Sequence, residues 1–319
     1  MNKYTLSGVE IATAPEMSES GNIEASFVQP IKLDSYEHRR WLYILTLPIS
    51  WLLTLYVIAK KLVYKKFGID RPQTNTMWFD GLGPGNRQIK DGAASWKALD
   101  IIYNHNFSFG WRKIIDNFWI GMMNAQAVRN RYKLVRQEVR RAILRFSGHG
   151  EVRLISLACG SAQAVIEIIA EFKHRGVIVK AILVDIDKDA LEYARNLAKC
   201  YGVCSQIEIK QISVAAVAMV AVDFKPQIIE MLGLLDYIEQ GKAIRLSEKI
   251  RESLEPDGVY LTCNIAPNPE QHFLHWVINW PMIYRDPSDL VEIAEKAGFK
   301  DYRIIYEPLR IHGILIAEK

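Results

Sequence analysis

The stretch Val152-Arg-Leu-Ile-Ser-Leu-Ala-Cys-Gly-Ser-Ala-Gln163 decides the fold of this 319-residue chain. Its aliphatic first half predicts a buried strand, and the small residues that follow predict a tight turn. The apolar spacing of Ala164-Val-Ile-Glu-Ile-Ile-Ala170 then predicts a helix. Open α/β sheets bind the polar part of a nucleotide-like cofactor at a strand, turn and helix N-terminus of this kind.

A second predicted strand, Val179-Lys-Ala-Ile-Leu-Val-Asp185, ends in a carboxylate that can accept hydrogen bonds from both hydroxyls of a ribose. The two motifs together predict a nucleoside cofactor. A dinucleotide-binding turn has three glycines, which let the backbone approach a pyrophosphate. Here Gly160 lies between Ala158 and Ala162, which disfavours a pyrophosphate and therefore a nicotinamide-dependent reductase.

These residues resemble the motifs of class I S-adenosylmethionine-dependent methyltransferases. The loop Leu157-Ala-Cys-Gly-Ser-Ala162 is similar to the first motif of that family, and Asp185-Ile-Asp-Lys-Asp-Ala-Leu-Glu-Tyr-Ala-Arg195 is similar to the second. Leu254-Glu-Pro-Asp-Gly-Val-Tyr-Leu-Thr-Cys-Asn264 resembles the turn and fifth strand. The resemblance implies an α/β, Rossmann-like sheet and S-adenosylmethionine as the cofactor.

The remaining strands follow in the order that the family requires. Residues 206–213 and 227–233 read as the third and fourth strands. Residues 302–306 and 311–317, separated by Pro308, resemble the antiparallel hairpin that closes the sheet. We therefore expect a methyltransferase sheet with a C-terminal hairpin over residues 148–319.

The resemblance also implies a set of cofactor-binding positions: Ser156, Ala158, Cys159, Gly160, Asp185, Ile186, Ser213 and Glu230. One position departs from the family, because Ser156 stands where an acidic residue usually helps to hold the amino-acid end of the cofactor. A hydroxyl brings no charge, so either another carboxylate takes over that role or cofactor binding is weaker. Asp187 is expected to cap the helix that follows the second strand.

The N-terminal part of the chain contains the apolar stretch 41–59, which has no ionisable residue and is long enough to cross a ~30 Å hydrocarbon layer at ~1.5 Å per residue. Lys60, Lys61, Lys65 and Lys66 follow it. We expect a membrane-associated helix over 41–67, either a single span or an interfacial anchor, with the enzyme on the cytoplasmic face. Residues 1–40 are expected to form a polar, loosely ordered tail.

Residues 68–147 are expected to form a helical cap over the mouth of the sheet. Residues 80–86 read as a turn-rich linker, and helices are predicted over 96–103 and 114–144, with a basic surface from Arg129 to Arg141. The aromatic insertion 266–285 is expected to contribute to the acceptor site. The predicted substrate-binding residues are Tyr103, His105, Asn264, Trp276 and Tyr284.

Methyl transfer from a sulfonium needs mainly an acceptor held in line with the methyl group, and a carboxylate acceptor needs no base. A hydroxyl or amine acceptor needs one, for which Glu230, His272 and His275 are the predicted catalytic residues. Arg129 and Arg131 are open to pairing with the cofactor carboxylate or with an acidic acceptor, although a solvated basic face is the favoured role of both. The predicted substrate is a hydrophobic or lipid-like small molecule with an oxygen, nitrogen or carboxylate acceptor.

Two alternatives stay open: an aminocarboxypropyl transferase that uses the same cofactor, and a non-catalytic membrane adaptor that only keeps the fold. A net charge of +4 is too small to indicate a nucleic-acid partner. The four cysteines have no second pair of ligands at a metal-binding spacing, so no metal site is predicted.

Overall fold

The computed structural model describes residues 4–6, 9–11, 36–38, 40–69, 76, 83–105 and 110–319. The helices in these ranges are α1 (Arg40–Lys66), α2 (Pro84–Asp91), α3 (Trp96–Tyr103), α4 (Trp111–Ile120), α5 (Met123–Phe146), α6 (Gln163–His174), α7 (Lys188–Cys200), α8 (Val217–Phe224), α9 (Gln240–Ser253), α10 (Gln271–Phe273) and α11 (Pro287–Lys296). The strands are β1 (Tyr4–Leu6), β2 (Val9–Ile11), β3 (Val152–Leu157), β4 (Val179–Asp185), β5 (Ile207–Gln211), β6 (Ile228–Met231), β7 (Val259–Ile265), β8 (Asp301–Tyr306) and β9 (His312–Glu318).

Seven strands form one sheet in the order β5-β4-β3-β6-β7-β9-β8. The first five of these are parallel, and β9 lies antiparallel between β7 and β8. The order reverses between β3 and β6, which is the point where open α/β sheets bind ligands. The predicted Rossmann-like sheet with a C-terminal antiparallel hairpin is therefore confirmed.

The central strands are buried on both faces because helices cover both sides of the sheet. Leu154 and Leu183 point into a core formed with α5, α6 and α7. Ile155 and Ile229 point to the opposite face, into a core formed with α8, α9 and α11. Because successive side chains of β3 point to opposite faces and both faces are buried, its sequence is a nearly continuous apolar run rather than an alternation of apolar and polar residues.

The turn between β3 and α6 has a backbone conformation that glycine adopts easily and alanine does not. Ala158, Gly160 and Ala162 all have positive φ, of +49°, +54° and +50°. The two alanines thus keep the left-handed conformation of the glycines whose places they take in the resembled motif. Each pays about 1 kcal/mol for the clash between its Cβ and the backbone.

Two helical predictions for the cap need correction. The helix expected over 114–144 is two helices, α4 and α5, which are separated at Gly121 and Met122. The linker expected over 80–86 is helical from Pro84 onwards, because a proline at the first helical position loses no hydrogen bond. Residues 80–82 lie outside the described residues. The helix predicted over 96–103 has the bounds of α3.

The basic surface expected on α5 is largely buried. Arg129 pairs with Glu37, with a distance of 2.6 Å between Nε and Oε1. Arg136 pairs with Glu167 of α6, with 2.8 Å between Nη1 and Oε2. The prediction of a solvated basic surface was wrong because the acidic partners of these arginines are distant in the sequence. Without those partners, charged residues at helical spacing indicate a solvated face.

The apolar stretch forms α1 with the basic residues Lys65 and Lys66 in its last turn. Within the described ranges, Ile44–Lys66 is the helical segment long and apolar enough to cross a membrane. Most of the predicted tail 1–40 lies outside the described residues. In the part that is described, β1 pairs with β2, and residues 36–38 lie near α5.

Replacing Ala158 with glycine should raise the free energy of unfolding by about 0.5–1 kcal/mol, because glycine adopts a positive φ without the Cβ clash. Ala164 provides the matched control, since it lies in α6 with a half-exposed side chain. The variant Ala164→Gly should lower the same quantity by about 0.5 kcal/mol. Urea unfolding followed by circular dichroism measures both. Destabilisation by both substitutions would contradict the strained-turn account.

Candidate functional site

A cavity of about 440 Å³ lies between the sheet and the cap, at the carboxyl ends of the strands. One end is lined by the turn after β3, by the end of β4 and by Glu230 of β6. The other end is lined by apolar side chains of α3, α4 and the 266–285 insertion. A ligand with a polar head and an apolar body fits such a cavity.

Asp185 faces the cavity with both carboxylate oxygens held by backbone groups. The Gly160 N–H donates to Oδ2 at 2.8 Å, and the Asp187 N–H donates to Oδ1 at 2.9 Å. Each oxygen keeps a second acceptor site, so the carboxylate can still bind the two hydroxyls of a ribose. Asp187 caps α7 as the sequence predicts, accepting from the N–H groups of Asp189 and Ala190.

The cap contacts the cofactor turn through Trp96, a residue that sequence reasoning missed. A Cβ added at Gly160 would lie 3.1 Å from the Cβ of Trp96. The Trp96 indole N–H donates to Asp187 Oδ2 at 3.0 Å, and its ring lies 4.8 Å from that of Tyr193. The positive φ of the turn and the close approach of the cap therefore both favour glycine at position 160.

The structure corrects the cofactor-binding role expected for Ser156. Its side chain is fully buried and does not line the cavity. The Ser156 hydroxyl instead donates to the carboxylate of Glu230 on the neighbouring strand. Glu230 is only 3% exposed, lines the cavity and lies where the sequence predicts, at the end of the fourth parallel strand. Burial raises the pKa of Glu230 to about 7, and the Ser156 hydrogen bond opposes this shift.

Arg131 contributes a buried positive charge to the lining of the cavity. It donates to the hydroxyl of Tyr103 at 3.1 Å and to the sulfur of Cys263 at 3.8 Å. In the part of the chain that the structure describes, no carboxylate lies within 4.0 Å of its guanidinium. Burial raises the pKa of nearby Asp236 to about 6, and the charge of Arg131 opposes that shift. Burial and Arg131 also hold the pKa of His312 well below its usual value.

The apolar arm of the cavity is built mainly by aromatic and branched side chains. Trp119 of α4 stacks on Phe273 with 4.6 Å between ring centroids. Trp280 lines the same arm, and its indole N–H donates to the hydroxyl of Tyr237 at 2.5 Å. Trp276, the tryptophan predicted for the substrate site, is not among the residues that line the cavity.

The two histidines predicted as catalytic bases do not reach the cavity. The insertion after β7 continues from α10 as a π-helical turn, Leu274–Ile278. Along α10 and this turn, Phe273 and Ile278 are buried, whereas His272 and His275 are exposed. The rings of Trp276 and His275 form a T-shaped contact, and the ammonium group of Lys61 lies over the Trp276 ring. Trp276 also lies outside the cavity lining.

Four other predicted residues also lie outside the cavity lining. His105 contacts the Asn117 side chain at 3.0 Å, and exposed Ser213 accepts from the Ala215 N–H. Buried Asn264 bonds the carbonyls of Ile265 and Ile283 and accepts from Arg285. Tyr284 packs in a small core beside the cavity. The predicted residues that do line the cavity are Tyr103, Ala158, Cys159, Gly160, Asp185, Ile186 and Glu230.

Solved structures share this fold at low sequence identity. A protein of Bordetella parapertussis described as a possible exported protein aligns with a TM-score of 0.63 and 16% identity, over 85% of this chain and 96% of that one. Magnesium protoporphyrin IX methyltransferase from Synechocystis, solved with bound SAH, aligns with a TM-score of 0.52 and 11% identity, over 74% of this chain and 99% of that one.

A search of curated proteins finds no significant match to the sequence. The family model described as "Putative methyltransferase" matches residues 54–319, which is most of the chain. The match begins inside α1 and includes the whole cap and sheet. The chain therefore belongs to this methyltransferase family, and the expected class I S-adenosylmethionine-dependent methyltransferase is confirmed.

Proposed function

We propose that this methyltransferase transfers the methyl group to an oxygen, preferably a carboxylate oxygen, of a hydrophobic, lipid-like small molecule at a membrane surface. The observation that carries the proposal is a cavity whose lining combines the turn after β3, the buried Arg131 and an arm of apolar side chains. The apolar body of the acceptor would occupy that arm. Its acidic head would lie beside Arg131.

The residues around the turn fit the cofactor. Asp185 would hold the ribose hydroxyls, Ile186 would contact the base, and the backbone of Ala158, Cys159 and Gly160 would lie against the rest of the adenosine. When bound, S-adenosylmethionine supplies a methyl group that is already activated by its sulfonium charge. Trp96 would cover the same end of the cavity and exclude water.

Glu230 would replace the acid that is missing at position 156. Its carboxyl group faces the cavity, is buried, and has the Ser156 hydroxyl as its bonded partner on β3. A negative charge at this position would hold the ammonium group of the cofactor. Ser156 would then act as a positioning residue, because it orients the carboxylate without touching the ligand.

Arg131 favours an acidic acceptor over an amine. Its positive charge would attract a carboxylate and repel an ammonium group. A carboxylate needs no general base, which agrees with the exposed positions of His272 and His275. Catalysis would then rest on positioning, since a fixed acceptor oxygen in line with the methyl group avoids most of the entropy loss of a bimolecular reaction.

The domain limits 41–67, 68–147 and 148–319 form part of this proposal: a membrane-associated helix, a helical cap and a cofactor-binding sheet. The family match runs across the first two limits. The cap also closes directly on the turn after β3 through Trp96 and Gly160. Cap and sheet would therefore act as one catalytic unit, with α1 as its membrane contact.

Incubating the protein with a bacterial lipid extract and isotopically labelled S-adenosylmethionine tests the acceptor class. We expect the label in an organic-phase product that loses it as methanol on alkaline hydrolysis, as a methyl ester does. Label that resists hydrolysis would contradict the carboxylate acceptor. Label confined to protein or RNA would overturn the lipid-like class. A product mass that shows an aminocarboxypropyl group, or no turnover, would support one of the two alternatives.

Replacing Arg131 with methionine should raise the KM for the acidic acceptor about 10- to 100-fold, because a charged hydrogen bond contributes about 1.5–3 kcal/mol. The KM for S-adenosylmethionine should change less than about 2-fold. The variant Arg131→Lys keeps the charge and should show an intermediate acceptor KM. Steady-state kinetics with each substrate varied separately gives these values. A selective rise in the cofactor KM would instead assign Arg131 to the carboxylate of the cofactor.

The affinity for S-adenosylmethionine should rise with pH between about pH 6 and 8 and then level off. The reason is that the carboxyl of Glu230, with a pKa raised to about 7, must lose its proton to attract the ammonium group. Glu230→Gln should lower the affinity about 10-fold or more and remove the pH dependence. Titration calorimetry at several pH values measures this effect.

Ser156→Ala is the matched variant, because it removes the hydrogen bond that lowers the pKa of Glu230. The pH at which the affinity for S-adenosylmethionine levels off should therefore be higher in this variant. Its affinity at high pH should stay close to that of the unmodified protein. An unchanged affinity and pH profile in Glu230→Gln would show that Glu230 does not bind the cofactor.

A further inference from the structure

The two faces of α1 have an arrangement opposite to that of a helix on a water-soluble protein. The face packed on the protein contains Thr46, Ser50 and Thr54 as well as Leu53 and Val57. From Ile44 to Val63 the exposed face is apolar. Ile44 is 70% exposed, Leu52 67% and Leu55 54%, and the same face includes Leu45, Trp51, Tyr56, Leu62 and Val63. An apolar face of this extent indicates contact with something other than water.

The hydroxyl groups on the packed face are satisfied within the helix. Ser50 donates to the carbonyl of Leu47 at 2.9 Å, and Thr54 donates to the carbonyl of Ser50 at 2.7 Å. Leu53 and Val57 belong to one core with Phe273, Val277 and other residues of the cap and insertion. The middle of α1 is thus fixed to the catalytic body by close packing.

The segment just before α1 is attached to the same body. Glu37 forms two hydrogen bonds with the guanidinium of Arg129, at 2.6 and 2.8 Å. Its backbone N–H donates to Asn130 Oδ1 at 2.7 Å, and its carbonyl accepts from Asn130 Nδ2 at 2.9 Å. Beyond the packed middle, Lys61 lies over the Trp276 ring at 4.7 Å. Three points along this segment therefore contact one side of one folded body.

These contacts are incompatible with a helix that crosses a bilayer. The 27 residues of α1 extend about 40 Å, which is more than the ~30 Å thickness of a hydrocarbon layer. If α1 crossed that layer, Glu37 and Lys61 would lie near opposite surfaces. The catalytic body, with the paired charges of α5 and Glu37, would then have to enter the hydrocarbon.

We infer that α1 lies in the plane of one leaflet of an anionic membrane, with its exposed apolar face in the hydrocarbon and the catalytic body outside. The inference deepens the proposed function and rests on its membrane contact. Lys60, Lys61, Lys65 and Lys66 provide the charge complementarity for anionic headgroups. In-plane helices of this type insert about 5–10 Å into the boundary between headgroups and acyl chains.

This orientation brings the acceptor arm of the cavity close to the membrane. Phe273 lies between α1 and the cavity, since it belongs to the core that contains Leu53 and also lines the cavity. An acceptor dissolved in the leaflet would then be separated from the site by little more than one layer of side chains.

Depth measurements by fluorescence quenching test the orientation. Single cysteines at Leu45, Leu52 and Leu62 of the full chain, with Cys200 and Cys204 replaced by serine, carry a fluorophore. The probes are vesicles of phosphatidylcholine and phosphatidylglycerol that contain brominated lipids. An in-plane helix predicts similar, shallow depths at all three positions. A deep Leu52 between shallow Leu45 and Leu62 would show a spanning helix and overturn the inference.

Vesicle sedimentation with a paired substitution separates the membrane contact from the catalytic proposal. Leu52→Glu with Leu55→Glu should reduce binding to anionic vesicles at least 10-fold. Met219→Glu, which charges an equally exposed apolar residue of α8, should leave binding unchanged. Both variants should bind S-adenosylmethionine like the unmodified protein. Failure of the unmodified protein to bind vesicles would overturn the membrane inference. Failure of the unmodified protein to bind S-adenosylmethionine or to turn over would instead count against the enzyme proposal.

Discussion

The hydrogen bond from the Gly160 N–H to the Asp185 carboxylate joins the ends of two neighbouring parallel strands. It exists because Ala158, Gly160 and Ala162 turn the chain with three positive φ angles. The bond fixes the carboxylate at the edge of the cavity and directs its remaining acceptor sites outward. Trp96 of the cap packs against the same turn, so the position of Asp185 and the contact between cap and sheet at this end of the site both depend on one backbone conformation.

The buried charges of the cavity differ from those that the resembled family leads one to expect. The strand-end acid is displaced from β3 to β6, where Glu230 lies beside Ser156. Arg131 contributes a positive charge that Tyr103 and Cys263 share in place of a carboxylate. The buried carboxyl of Glu230 and the buried guanidinium of Arg131 suit a substrate pair with an ammonium on the cofactor and an acid on the acceptor. The site proposal rests on these two groups.

The sequence was sufficient for the sheet because strand burial and turn residues are local signals. The bounds of β4 and α3 match the prediction, and so does the cap of α7 by Asp187. Ala158 and Ala162 show the limit of such reasoning. Their identity suggested a depleted glycine loop, whereas their backbone keeps the glycine conformation at an energetic cost that only coordinates reveal.

Side-chain roles in the cap and insertion could not be predicted, because they depend on contacts between distant segments. The insertion contains a π-helical turn at Leu274–Ile278 in place of a regular α-helix, and His272 and His275 are both exposed. The burial of Arg129 depends on its ion pair with Glu37, which precedes α1 in the sequence and is therefore far from Arg129 along the chain. Likewise, the apolar stretch alone is compatible with a span or an in-plane helix, and the contacts of Glu37 are what favours the in-plane orientation inferred above.

The most direct measurement of the central claim is a crystal structure of the protein with S-adenosylhomocysteine. The account predicts both ribose hydroxyls on Asp185 and the amino group within hydrogen-bond distance of Glu230, with the apolar arm beside Arg131 left for the acceptor. A ligand whose ribose lies away from Asp185, or whose amino group contacts a different carboxylate, would contradict the account.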